Sequence, residues 1–310
     1  MDLPEEGGIA IIVLALALGL GLGLGLRRKH DDDAPTTHLP PASASPSGAA
    51  WQPAVNSSWQ IILSYPLDID GDSPSVEPDV GIFDIDLFLH QNSTVIDSLH
   101  KLGKKVICYF SAGSYEPGRP DSSRFNDSDL GKELDGWPGE FWLNISSPNV
   151  RDIMVDRIEL ASNVGCDAVD PDNVDGYQNE NGLKLTAEDS VSFVKFLAAE
   201  SSKRGLGVGL KNAADIIPDV LSVVQFCVNE ECAEYDECDT FSAFVEAGKP
   251  VFHIEYPPGA PGKVSKDAVS DACSAAGATG FSTVIKTMDL DGWVEFCDGQ
   301  TADTAVVKDE

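Results

Sequence analysis

The sequence predicts an α/β fold, a (β/α)8 TIM-type barrel, on three observations. Eight short apolar strands alternate with helix-length segments from Trp59 onward. The strands end in acids, amides and aromatics, where a parallel barrel places its site. A chain of 310 residues has room for one barrel of about 250 residues plus appendages. An open doubly wound sheet satisfies the same alternation, but eight strands with mostly helical crossovers fit a closed barrel better.

From the N-terminus, residues 1–8 form a short stub, on the cytoplasmic side if the next segment spans a membrane, and 9–26 are a continuous apolar run followed by Arg27, Arg28 and Lys29. Acids rather than basic residues precede the run, so it reads as an uncleaved transmembrane anchor more than as a signal peptide. The arginines favour a cytosolic domain, whereas sequons and cysteines favour the outside, and the latter carry more weight. Residues 27–53, rich in Pro, Ala, Ser and Thr, form a stalk. The barrel is expected over 54–300 and a tail over 301–310. Strands are predicted at 59–65, 82–87, 105–111, 167–170, 207–210, 224–229, 250–256 and 282–286. Helices are predicted at 92–102, 148–163, 187–203, 213–222, 238–247 and 266–276, with Val191, Val194, Leu197 and Ala198 making one apolar face.

The hydrophobic fraction of 42% supplies an ordinary core, and the net charge of −30 repels nucleic acid and anionic membrane. Such a surface keeps a secreted protein soluble and attracts cationic partners. Sequons at Asn56, Asn92, Asn126 and Asn144 agree with an oxidising compartment. Of seven cysteines, Cys232 and Cys238 are expected to form a local disulfide and Cys273 and Cys297 a second clamp near the C-terminus. Cys108, Cys166 and Cys227 read as buried strand cysteines with one thiol left over. Neither a metal nor a cofactor is expected, because no CxxC pair occurs and the histidines are scattered. Asp68, Asp70 and Asp72 lack the glycine placement of a calcium loop. Gly205, Gly207 and Gly209 lie within a strand, which favours close packing over a phosphate loop.

The densest chemistry is DAVDPDNVDGY at 167–177, where strand parity puts Asp170 and Asp172 on one face. Other strand ends deliver Tyr65 and Asp68, Tyr109, Asn173, Lys211 and Asn212, Glu230 and Glu231, and Glu255 and Tyr256; Tyr177 closes the acidic run. Acids protonate and attack, polar groups bind hydroxyls, and flat rings stack on sugar faces, so this set suits a carbohydrate site. Lys211 either binds substrate or pairs with an acid. Trp137 and Trp142 flank the turn at Pro138-Gly139 and form a lid or platform or merely pack their loop.

WQIILSYPLD (59–68), VICYFSAGSYE (106–116), DAVDPDNVDGY, GLKNA (209–213) and VNEEC (228–232) carry a resemblance that extends over residues 51–298. The chain resembles the endo-α-1,4-polygalactosaminidases, glycoside hydrolase family 114, of the fungal membrane-anchored type. The resemblance implies an endo-acting barrel enzyme on α-1,4-linked galactosamine, with the acid pair at Asp172 and Glu230. Analogy with other barrel glycosidases makes Asp172 the nucleophile and Glu230 the acid/base. The family's fourth-strand motif often has Glu where this chain has Asp170, which makes Asp170 a supporting position, expected with Asp68, Asp70, Glu231 or Glu255 to bind substrate by pairing with its ammonium groups. The implied partner is a cationic amino-sugar polysaccharide, met outside the cell by a monomer held at the membrane through its anchor. A non-catalytic wall or carbohydrate-binding protein on the same barrel, or a glycosidase for another α-galactoside, are the alternatives.

Overall fold

The computed structural model describes residues 50–308. The expected anchor and the stalk as far as residue 49 lie outside them. Among the described residues, no helix is long and apolar enough to cross a membrane.

Eight strands pair in parallel, each with the next: β1 (Trp59–Ile62), β2 (Ile82–Asp86), β3 (Lys105–Ser111), β7 (Ala168–Asp172), β8 (Gly207–Lys211), β9 (Phe226–Glu230), β10 (Val251–Glu255) and β11 (Ser282–Ile285). These are the eight predicted strands. The first stops three residues short of Tyr65, and the fourth runs on through Pro171 to Asp172. Helices α1 (Thr94–Lys101), α2 (Pro148–Val164), α3 (Ala187–Lys203), α4 (Ile217–Val220), α5 (Cys238–Glu246) and α6 (Lys266–Cys273) provide the crossovers. Sequence chemistry sets their ends. Thr186 accepts from the Asp189 amide while Asp189 reaches back to Thr186, a capping box that starts α3. Pro218, near the start of α4, follows a 3-10 turn, and the helix expected over 213–222 shrinks to one turn.

Apolar side chains alternate across the sheet. Ile62, Phe83, Ile85, Val106 and Phe110 pack outward against the helices, while Trp59, Ile61, Ile82, Ile107, Phe226, Val228, Phe252 and Val284 fill the barrel. Gly209 is the close-packing position anticipated above, since a Cβ there would sit 2.4 Å from the Phe226 ring.

No ladder joins β1 to β11. The antiparallel hairpin β12 (Trp293–Phe296) and β13 (Thr301–Asp303) lies beside β11 instead. Side chains span the join. Trp59 Nε1 donates to the Ser282 carbonyl (2.7 Å), and Gln60 reaches Gly292 and Thr304. Lys286 Nζ donates to Gln60 Oε1 (3.0 Å) and the Asp291 carbonyl (2.7 Å). The tail expected from 301 is corrected by this hairpin and by a bridge between Leu67 and Val306. At the other boundary, Trp51 lies under Lys105 Nζ, Gln52 bonds to the Gln225 carbonyl and Pro53 is buried. The last residues of the expected stalk thus belong to the barrel. After β3 comes a small sheet the sequence did not reveal, β4 (Ser114–Tyr115), β5 (Leu130–Glu133) and β6 (Phe141–Leu143) in the order β4-β6-β5. Trp142 is buried there, against Gly176, whereas Trp137 is exposed.

Three disulfides form. Cys232–Cys238 and Cys273–Cys297 are as expected; the third, Cys108–Cys166, joins two of the three cysteines read as buried strand positions, leaving Cys227 as the one buried thiol. Cys108 leaves β3 on the helix side, where Cys166 arrives from α2, 58 residues later. Closing a loop of that length removes much unfolded-state entropy. Replacing both Cys108 and Cys166 by Ala is expected to cost about 2–4 kcal/mol, lowering Tm by about 5–15 °C; calorimetry checks this.

Candidate active site

Three consecutive barrel strands end in charge: β7 in Asp172, β8 in Lys211 and β9 in Glu230. Lys211 is 2% exposed, and its ammonium lies 3.4 Å from Asp172 Oδ1 and 3.1 Å from Glu230 Oε2. Each acid has a phenol of its own. Tyr109 donates to Asp172 Oδ2 (2.9 Å) and Tyr256 to Glu230 Oε1 (2.5 Å). Asn212 bonds Glu230 twice, its amide donating to Oε2 (3.2 Å) and its oxygen accepting from the Glu230 backbone (2.9 Å).

The residue after each of these strands is a non-glycine with positive φ: Asn173 at 60°, Asn212 at 48° and Glu231 at 62°. Such backbone persists where surrounding structure holds it, and it clusters at functional sites. Asn173 is held by Ser114 Oγ (2.9 Å) and by its own bond to Asp172 Oδ1 (2.8 Å). Gly113 is required beside it, because a Cβ there would fall 1.8 Å from the Asn173 carbonyl oxygen.

Burial acts to raise Glu230, but the Lys211 charge and the hydrogen bonds from Tyr256, Asn212 and Lys211 hold it below its ordinary value. Burial likewise opposes the charge on Lys211, and Asp172, Glu230 and Asp170 together push it well above the usual lysine range. Tyr109 and Tyr256 are raised by burial and by Asp172 and Glu230 respectively, so both stay neutral donors. Burial also lifts Glu231 to about 7, helped by Glu230 and Glu255, and Glu140 to about 7, helped by Glu116.

Two carboxyls, a shared ammonium and flanking phenols at the C-terminal mouth of a parallel barrel can protonate a leaving oxygen and attack or hydrate an acetal carbon. Residues 40–302 match glycoside-hydrolase family GH114. The chain belongs to glycoside-hydrolase family GH114. It is therefore a glycoside hydrolase. It is similar to Aspergillus fumigatus Ega3, solved in complex with galactosamine, at 55% identity over 81% of this chain and 99% of that one, with a TM-score of 0.76. The glycoside hydrolase domain of PelA from Pseudomonas aeruginosa shares the fold at 14% identity, TM-score 0.59, over 76% of this chain and 96% of that one. No curated protein matches significantly.

In this GH114 chain the expected site residues divide. Asp172, Glu230, Lys211, Asn212, Tyr109, Asn173 and Tyr256 come together as described. Asp170 shares their barrel face but is fully buried, so the expectation that it binds substrate is corrected. Glu255 is corrected by parity: Ile254 faces the barrel interior, which turns Glu255 outward. There it accepts from His253 Nε2 and the Ala233 amide (both 2.7 Å), bracing the loop that Cys232–Cys238 closes. That disulfide and His253 are the one group among the described residues close enough to hold a metal, and its two cysteines are already bonded to each other. Tyr65 sits under Lys308, and Asp68 is exposed with its amide on the Ala305 carbonyl; neither contacts the cluster. Tyr177 packs on the outer core near Asp215 and Asp175, its hydroxyl without a partner among the described residues. Glu231 is half-buried beside Glu230.

The sequence reading missed Asp84, Asp86 and Arg119. Arg119 bridges Asp86 (3.0 Å) and Glu116 (2.7 Å) at the rim. A signal was present: in IFDID both acids fall on the face opposite Phe83 and Ile85, in a strand that a barrel buries on both sides.

Proposed function

We propose that this enzyme cleaves within chains of α-1,4-linked galactosamine, with Asp172 as nucleophile and Glu230 as acid/base. The observation that carries the pairing is the single Lys211 ammonium in contact with both acids. The two oxygens it touches lie no farther apart than the sum of those contacts. That limit falls at the bottom of the roughly 6.5–9.5 Å range of inverting enzymes and supports retention. Similarity to the galactosamine-bound Ega3 supports the sugar. On this reading Glu230 protonates the departing oxygen while Asp172 Oδ1 or Oδ2 bonds the anomeric carbon. Glu230 then takes a proton from the water that releases the sugar. Tyr109 and Tyr256 orient the two carboxyls. The three disulfides support action in an oxidising, extracellular setting, whether anchored or released.

The test is to incubate the enzyme with deacetylated and with N-acetylated galactosaminoglycan and size the products. The deacetylated polymer should fall to short oligomers by internal cuts; an unchanged size distribution defeats the proposal. The net charge of −30 also favours a polycation. Cleavage should therefore slow as ionic strength rises from about 0.01 to about 1 M, while a salt-independent rate excludes electrostatic capture.

A further inference from the structure

Asp84 and Asp170 lie under the catalytic cluster, both with no exposed surface. Among the described residues, none of their four carboxyl oxygens meets a donor. The side-chain hydrogen bond open to either acid is with the other carboxyl. The strand registers explain the meeting. A barrel layer is built from alternate strands, shifted by about one residue per strand. The ladders then place Asp84, Asp170, Val228 and Val284 in one layer, and Asp86, Asp172, Glu230 and Lys286 in the layer above.

Valine fills the other half of the lower layer. An apolar pair in place of the two acids would be at least as stable, because buried charge costs more than it returns unless it is fully paired. Two ionised carboxyls buried side by side, with no donor group of the protein to serve them, cannot coexist. One proton therefore bridges them. Its place follows from the surroundings: burial raises both acids, Asp84 well above the carboxylate range, while the Lys211 charge holds Asp170 at about 7, the lower of the two. The remaining titratable groups that act on the pair are Asp172, Glu230 and the Cys227 thiol, itself kept neutral by burial.

We infer that Asp84 and Asp170 are a positioning pair for the reaction: Asp84 keeps the shared proton and donates it to Asp170, whose negative charge holds the Lys211 ammonium in place. The inference rests on the reading that Asp172 and Glu230 are the reacting acids. Both would change charge during turnover, Asp172 losing its charge on forming the ester and Glu230 giving up and regaining a proton. Asp170 touches neither substrate nor solvent. It is the constant anion that stops Lys211 from following whichever acid is charged.

Asp84→Leu removes the proton donor, whereas Asp84→Asn replaces it with an amide donor. Asp84→Leu and Asp170→Asn should each lower kcat about tenfold or more with KM changed less than about twofold, and Asp84→Asn should recover most of the loss. A second readout needs no activity. The wild-type pair keeps a proton that the unfolded chain gives up above about pH 4. Wild-type stability therefore falls, relative to Asp84→Asn, as pH rises from about 4 to about 7. The Tm of Asp84→Asn minus that of wild type should be constant below this window and climb through it. A difference independent of pH, an Asp84→Asn protein that does not fold, or equal losses in Asp84→Asn and Asp84→Leu each overturn the inference. If Asp172 and Glu230 prove dispensable while the Tm difference climbs, the shared proton stands and the assignment of the reacting acids is what fails.

Discussion

Asp172→Asn and Glu230→Gln will each lose about a thousandfold or more in polymer cleavage while remaining folded. A loss of that size corresponds to about 4 kcal/mol of transition-state stabilisation, reasonable for a group that forms or protonates the reacting bond. The fold should tolerate the change because each site keeps a similar shape. At position 172 the amide retains one oxygen for Tyr109 or for the Asn173 backbone, which now bond the two carboxylate oxygens separately. One lost hydrogen bond costs about 1 kcal/mol, or about 2–4 °C in Tm. Product anomers separate the two roles. Given azide as a small nucleophile, the nucleophile variant should yield the inverted glycosyl azide and the acid/base variant the retained one. Near-normal hydrolysis by both variants removes the site altogether.

Lys211→Met is expected to have the largest effect on stability. It leaves Asp170, Asp172 and Glu230 facing one another without their shared cation, and breaking a buried ion pair costs about 3–5 kcal/mol. The sign of the pH dependence follows from the shifts. Glu230 is held low in the folded state, so its contribution is present above the ordinary glutamate value and is lost as pH falls through its folded value. Lys211 is held high, so its own contribution persists throughout the acid and neutral range. The Tm deficit of Lys211→Met should therefore be large near pH 7 and shrink below about pH 4. The same substitution raises Glu230, and the basic limb of kcat/KM, which reports loss of its proton in the free enzyme, should move to higher pH. A limb that stays in place would show that Lys211 does not set the acid.

The strands and the reacting cluster were legible because both follow simple periods. Apolar runs of four to seven residues repeat at barrel spacing, and each ends in a side chain that only a strand's last residue can present. Parity within the fourth strand separated Asp170 and Asp172 from the other acids of DAVDPDNVDGY but could not tell the upper layer from the lower, because depth depends on how far adjacent strands are staggered. Asp170 was therefore misread as a substrate contact. Glu255 failed for the complementary reason: a strand end was taken as a site position without asking which way it faced. The Cys108–Cys166 bond and the sheet β4-β6-β5 depend on approaches between distant segments, and no local pattern announces them. Asp84 was the costliest omission, since alternation of acid and apolar residues on an ordinary strand means a wet face, and only closure into a barrel turns that face inward.

The join between the first and last barrel strands has a consequence of another kind. Along every other strand junction the backbone does the bonding, so almost any side chain can be exchanged without opening the circle. At the join a single backbone bond, from the Leu63 amide to the Leu290 carbonyl, is accompanied by side-chain bonds from Ser64, Trp59, Gln60 and Lys286. There, continuity of the barrel leans on residue identity, and drift in sequence at Trp59, Gln60 and Lys286 acts on topology as well as on packing.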